Sequence, residues 1–122
     1  MYFAVWASDE TGMGETRQKL RPAHRARLRD PGDHPVRVVL GGPTLSESDG
    51  EMNGSLLIIE ADSIASVRAF VADDPYVRAG VYASCEVRPW HCGLGSLAVS
   101  NSESPSGSPN PSPNPSPNPP PR

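Results

Sequence analysis

Gly54-Ser55-Leu56-Leu57-Ile58-Ile59-Glu60-Ala61-Asp62 is the stretch that decides the fold. Leu56 to Ile59 is a short apolar run bounded by Gly54 and Asp62, and it reads as a central strand. Because side chains alternate along a strand, this one is apolar on both faces. The opening run Tyr2-Phe3-Ala4-Val5-Trp6-Ala7 is nearly so. A sheet built from such strands needs cover on both sides.

Downstream, Asp62 or Ser63 caps a helix with Ile64, Val67 and Val71 on one stripe and Phe70 at its margin. Asp73-Asp74-Pro75 ends that helix, since the residue before proline is pushed out of helical geometry. Ala83, Cys85 and Val87 then alternate with Ser84, Glu86 and Arg88 as a half-buried last strand. Upstream, Ser8 to Gly12 is turn-like, and a polar helical stretch runs from about Glu15 to Arg29. Pro22 within it predicts a kink or restart, with Pro22 at the first helical position. Asp30-Pro31-Gly32 stops it. Val36 to Leu40 is a strand ending in Gly41-Gly42-Pro43, and Ser46 to Asn53 is an exposed loop. The order is strand, helix, strand, strand, helix, strand: an α+β, ferredoxin-like βαββαβ plan. Two helices cover only one face of a four-stranded sheet, so a second copy of the chain is expected against the other. The expectation is a homodimer.

Composition narrows the function classes. The chain has 122 residues and a net charge of −3, with ten arginines and one lysine spread along it. That distribution gives no support to nucleic-acid binding. Arg21, Arg25, Arg27 and Arg29 crowd one segment and read as a solvated helix face. No apolar run reaches membrane-spanning length, and the start lacks the plan of a signal peptide. No membrane association and a cytoplasmic location are expected. Cys85 and Cys92 fit neither a redox pair nor half a zinc finger, and with His91 they fall short of a metal site; one buried thiol and one loose one is the expectation. No metal and no organic cofactor is indicated, there being no glycine-rich phosphate loop.

The chain divides into residues 1–95, the folding unit, and 96–122, a Ser/Pro/Asn-rich tail expected to be disordered. The tail repeats Ser108-Pro109-Asn110-Pro111 twice more and favours an extended chain. Its end, Pro117 to Arg122, fits a short proline-rich ligand pattern, but a solvated spacer is the favoured reading.

The chemistry concentrates in two segments. His24, in a helix begun by Pro22, is expected near the positive end of the helix dipole, which keeps the ring neutral and able to accept a proton. Asp74, fixed by the proline turn, is the candidate partner that sets its tautomer. Asp73 reads as a solvated helix-end carboxylate. A helical histidine among arginines is also what a plain surface looks like. Arg21 is placed to bind an anionic substrate or to face solvent. Gly42 and Pro43 line a pocket or form a turn. Ser55 is placed to reach the site, Tyr76 to line it with a polar tip or to pack beside the sheet, and Tyr82 to pack there. His34, flanked by prolines, reads as part of a stiff turn.

Arg21-Pro22-Ala23-His24, Gly41-Gly42-Pro43 and Asp73-Asp74-Pro75-Tyr76-Val77-Arg78-Ala79-Gly80-Val81-Tyr82 resemble, in wording and order, the signature of the YCII-related (YciI-like) domain family. The resemblance covers roughly Met1 to Trp90. It implies a ferredoxin-like fold, a dimeric α+β barrel and an active site built on His24 and Asp74. Ser55 after Gly54 matches a Gly-Ser that members often carry. One branch of the family carries out dehydrochlorination of a chlorinated hydroxyquinol, so proton abstraction coupled to elimination is the implied reaction class. The substrate here is an unknown small molecule. A non-catalytic dimeric module that binds a small molecule or a protein is the alternative. The early break at Arg29 to Pro35 departs from the family pattern and predicts a shorter first helix that holds His24 less firmly.

Overall fold

The computed structural model describes residues 1–97, of which Met1–His91 form one compact unit. The expected tail lies, from residue 98 onward, outside the described residues. The elements run β1 (Tyr2–Asp9), α1 (Gly14–Arg29), β2 (Val36–Leu45), β3 (Met52–Ala61), α2 (Ile64–Ala72), α3 (Pro75–Arg78) and β4 (Tyr82–Trp90). The four strands form one sheet in the order β2-β3-β1-β4, every neighbouring pair antiparallel. This is the ferredoxin-like α+β arrangement. The apolar run Leu56 to Ile59 lies in β3, one of the two central strands, as its two-sided character predicts.

Register decides which residues meet the helices. Phe3 pairs with Ile59, Val5 with Leu57, and Ala7 with Ser55, so these side chains share one face. Phe3, Val5, Leu57, Ile59 and Ala61 form a core with Val67 and Phe70 of α2, and Leu28 of α1 packs against it. Phe70 is therefore central to the core, not marginal to the stripe. The opposite face carries Trp6, Leu40 and Leu56, which are 52%, 55% and 41% exposed. Among the described residues, no helix is long and apolar enough to cross a membrane.

Three local expectations are corrected. First, α1 is one continuous helix of 16 residues with Pro22 inside it, not a restart at Pro22. An internal proline costs about 3 kcal/mol of helix propensity, so tertiary contacts on both sides of it must hold the helix together. Second, β2 does not end at Gly41; it runs through Gly41-Gly42-Pro43 to Leu45. The pairing of Gly41 to Thr44 with Leu57 to Gly54 holds that stretch in the sheet, and Pro43 is tolerated because β2 is an edge strand. Third, β4 is an edge strand exposed along most of its length, with Val87 half-buried and Cys85 exposed. The thiol expected to be buried is not.

Candidate active site

Helix α1 buries only two side chains, and both are polar: Arg17 and His24. They lie seven residues apart, two turns along one face, roughly 10 Å of helix rise. The dipole reasoning applied to His24 lapses with this geometry, because the ring lies ten residues into α1 rather than in its first turn. What fixes the ring is a set of tertiary contacts.

Asp74 is the first. It is the N-cap of α3, with Pro75 at the first helical position and its carboxylate accepting from the backbone N–H of Tyr76 at 3.2 Å. Its Oδ2 and Oδ1 lie 2.6 and 2.8 Å from His24 Nδ1. Both residues are 5% exposed. The carboxylate accepts, so Nδ1 carries the hydrogen and Nε2 is left as the basic nitrogen of a neutral ring. Against the expectation of a loosely held ring, His24 is tied to Asp74 at both carboxylate oxygens.

Tyr76 is the second contact. Its ring stacks on the imidazole with centroids 4.0 Å apart and planes inclined at 17°. The guanidinium of Arg17 lies 4.5 Å from the same tyrosine ring, which fills the space between the two buried side chains of α1. Tyr76 is wholly buried, and its hydroxyl has no hydrogen-bond partner among the described residues. Burial pushes its phenol above the ordinary value, against the opposing charge of Arg17.

Arg17 organises the floor. It donates through Nε to Asp9 Oδ2 at 2.7 Å, and through Nη2 to Asp9 Oδ1, the Gly54 carbonyl and Ser55 Oγ at 3.2, 2.8 and 2.9 Å. Burial works against its charge, but the hydrogen bond and the charge of Asp9 outweigh that and hold its pKa above the ordinary value. Ser55 Oγ also accepts from the Tyr82 hydroxyl at 2.8 Å. Tyr82 thus braces the floor rather than only packing beside the sheet, and burial raises its phenol strongly.

Arg21, His24, Gly42, Pro43, Ser55 and Tyr76 all line one cleft between α1 and the β2–β3 ribbon. Asp74 sits behind His24, out of the lining. The cleft is narrow, about 20 Å³, room for about one water. Asp73, one residue before Asp74, turns outward and pairs with His34 at 2.9 Å and Arg78 at 2.6 Å. His34 is therefore a hydrogen-bond partner of Asp73 at the surface, not merely part of a turn. Hydrogen bonds from Arg78, foremost, and from His34 lower the Asp73 pKa.

Sequence reading missed Arg17, Asp9 and the bracing role of Tyr82. A signal for Arg17 existed: it precedes His24 by seven residues, so on an unbroken helix the two share a face. Reading Pro22 as a restart concealed it. Among the described residues, no three His, Cys, Asp or Glu side chains gather as a metal-ligand set.

The model of the YCII-related domain matches residues 1–91 of this chain. Protein YciI of Escherichia coli O6:H1 is 34% identical over 95 residues, spanning 74% of this chain and 96% of that protein. An uncharacterized protein of Haemophilus influenzae is 32% identical over 95 residues, with the same coverage. Among solved structures, the 5-chloro-2-hydroxyhydroquinone dehydrochlorinase (TftG) of Burkholderia phenoliruptrix AC1100, in complex with 2,5-dihydroxybenzoquinone, is similar at a TM-score of 0.65 and 35% identity. That likeness covers 75% of this chain and 94% of the dehydrochlorinase. By fold, by motif and by these matches, the chain belongs to the YCII-related domain family.

Proposed function

We propose that this protein is a small-molecule enzyme in which His24 is the general base or acid and Asp74 its orienting partner. The observation that carries the reading is the 2.6 Å contact between His24 Nδ1 and Asp74 Oδ2, both nearly excluded from water, with the ring facing a cleft. A neutral imidazole held in that tautomer accepts a proton at Nε2, and the carboxylate stabilises the imidazolium that forms. The flat stack of Tyr76 on the ring adds to this, since an aromatic face attracts a cation. Departure of a leaving group with its electron pair then completes an elimination. Similarity to a dehydrochlorinase at 35% identity favours that reaction class.

The remaining lining residues divide the work of binding. The Ser55 and Tyr76 hydroxyls and the Arg21 guanidinium offer donors to an acceptor-bearing substrate, while Gly42 and Pro43 present backbone and a flat apolar wall. A substrate larger than water enters by displacing Arg21 and Arg25, which are half-buried and exposed and hold no carboxylate partner among the described residues. A second copy covers the open sheet face, making the working unit a homodimer.

The narrowness of the cleft favours one competing reading, a module in which the dyad is purely structural. Chloride release from 5-chloro-2-hydroxyhydroquinone separates the two. Wild-type protein is expected to release chloride, and His24→Gln and Asp74→Asn to do so at least about a hundredfold more slowly, the usual contribution of general acid–base catalysis. Release by wild type no faster than by His24→Gln overturns the elimination reading.

A further inference from the structure

A second hollow adjoins the cleft. It lies between the C-terminal half of α1 and the edge strand β2, and its volume, about 370 Å³, is in the range of small-molecule sites. The two hollows share Arg25, Leu28 and Gly41, so one groove leads from His24 outward along the helix. Leu28, Val36 and Val38 give it an apolar floor. Among the described residues, Arg25, Arg29 and Arg37 supply its only charges, and no carboxylate lines it.

Arg21, Arg25 and Arg29 recur at four-residue intervals, so they form a row on one side of α1 beside this groove. None of the three is in an ion pair among the described residues. Asp30, the nearest acid in sequence, is turned to the backbone N–H of Gly32. Only Arg37 has a carboxylate, Glu60, at 2.7 Å. Like charges at that spacing repel and weaken their own helix. The helix dipole offsets this for Arg29, in the last turn, but not for Arg21 and Arg25 further back. An organic anion seated in the groove would neutralise the row and bury its body on the apolar floor.

We propose that the groove formed by Arg25, Leu28, Arg29, Val36, Val38 and Gly41 binds the anionic end of the substrate: an elongated organic acid, carboxylate or phosphate ester, whose other end reaches His24. The inference rests on the dyad reading above and resolves its difficulty of size. The cleft needs to admit only the reacting atoms, while the body lies in the hollow next to it. From His24 to Arg29 the helix rises roughly 7 Å, so reacting atom and acid group are separated by about five or six bonds.

The test is binding, not turnover, so it can fail or succeed independently of the dyad. Octanoate, octyl phosphate and octanol are titrated into the full chain by calorimetry and followed by methyl NMR. Either anion is expected to shift the methyl signals of Leu28, Val36 and Val38, and to bind about tenfold more tightly than octanol, reflecting charge-assisted hydrogen bonds. The double variant Arg25→Gln/Arg29→Gln, at two exposed positions, should lose about that factor, and His24→Gln should lose none. If the double variant melts early, Arg29→Gln alone repeats the measurement. A difference between octanoate and octyl phosphate identifies the acid group preferred. Equal affinity of the anions for wild type and variant, or equal affinity of octanol and octanoate, overturns the proposal. So do methyl shifts confined to Leu56 on the open sheet face, or tighter binding of a short oligothymidylate at matched salt, which would assign the row to nucleic acid. Loss of chloride release in His24→Gln with octanoate binding intact upholds both readings, and loss of octanoate binding in the arginine variant of a chain with no dyad activity upholds only the groove.

Discussion

Asp9, at the end of β1, grips Arg17, at the start of α1, through two hydrogen bonds of 2.7 and 3.2 Å that lie almost out of reach of water. This ion pair ties the first helix to the sheet beneath the cleft. Arg17 in turn positions Ser55 and closes on the ring of Tyr76. Removing one partner strands the other as a buried charge, which costs about 3–5 kcal/mol. Arg17→Met is expected to lose stability in that range in urea denaturation. Asp9→Leu combined with Arg17→Met should recover part of it, because the stranded carboxylate is then gone. Two losses that simply add would mean the pair does not act as a unit.

The tautomer of His24 is open to direct measurement. The contact with Asp74 predicts hydrogen on Nδ1 and a bare Nε2 in the neutral ring. Nitrogen-15 ring resonances should display that pattern in wild type and in Asp73→Asn, whose side chain faces His34 and Arg78 instead. Asp74→Asn should shift the ring toward a mixture. Identical ring spectra in all three proteins would dissolve the dyad.

Gly54 and Gly42 make opposite predictions. A Cβ on Gly54 would collide with the Ala7 carbonyl oxygen and fall 2.5 Å from Thr44 Oγ1, the first being backbone that cannot step aside. Gly54→Ala is therefore expected to lose about 1–3 kcal/mol or more through overpacking. A Cβ on Gly42 meets nothing within 4 Å. Gly42→Ala should fold as wild type does, so any loss of activity in it reports on the cleft. Thermal melts of the two variants decide the matter; equal midpoints would contradict the packing.

The open sheet face gives the test of assembly. Leu56 lies there beside Trp6, whereas Leu57 faces the core, so the informative substitution is Leu56→Asp rather than Leu57→Asp. Sedimentation is expected to yield a dimer for wild type at micromolar concentration and a folded monomer for Leu56→Asp. A wild-type monomer would remove the argument from the uncovered face.

The strands were legible because their apolar alternation is a backbone property that little else overrides. Leu56 to Ile59 reads as central in the sheet from composition alone, and it pairs on both sides. Helix α1 resisted the same method, since its buried face presents Arg17 and His24 instead of leucines. Periodicity analysis takes such a face for the solvated one. Asp74 was legible through Pro75, which forces a cap position and so fixes a direction. Arg17 was not, because its partners Asp9, Gly54 and Ser55 come from two strands that only the register brings together. Pro22 misled for a related reason: its penalty is local, whereas the contacts of Arg17 and His24 that outweigh it are tertiary.

Ser55 accepts hydrogen bonds from both Arg17 and Tyr82. A hydroxyl oxygen has two lone pairs, and both are thereby spent. Its own hydrogen is the one valence still free among the described residues, so Ser55 faces the cleft as a donor with its polarity fixed. Carbonyl, phenolate or carboxylate oxygens satisfy such a group, and an ammonium or amide N–H does not. In the proposed site the floor thus works as a one-way filter on hydrogen-bond sense, set by the two bonds that Arg17 and Tyr82 give to Ser55.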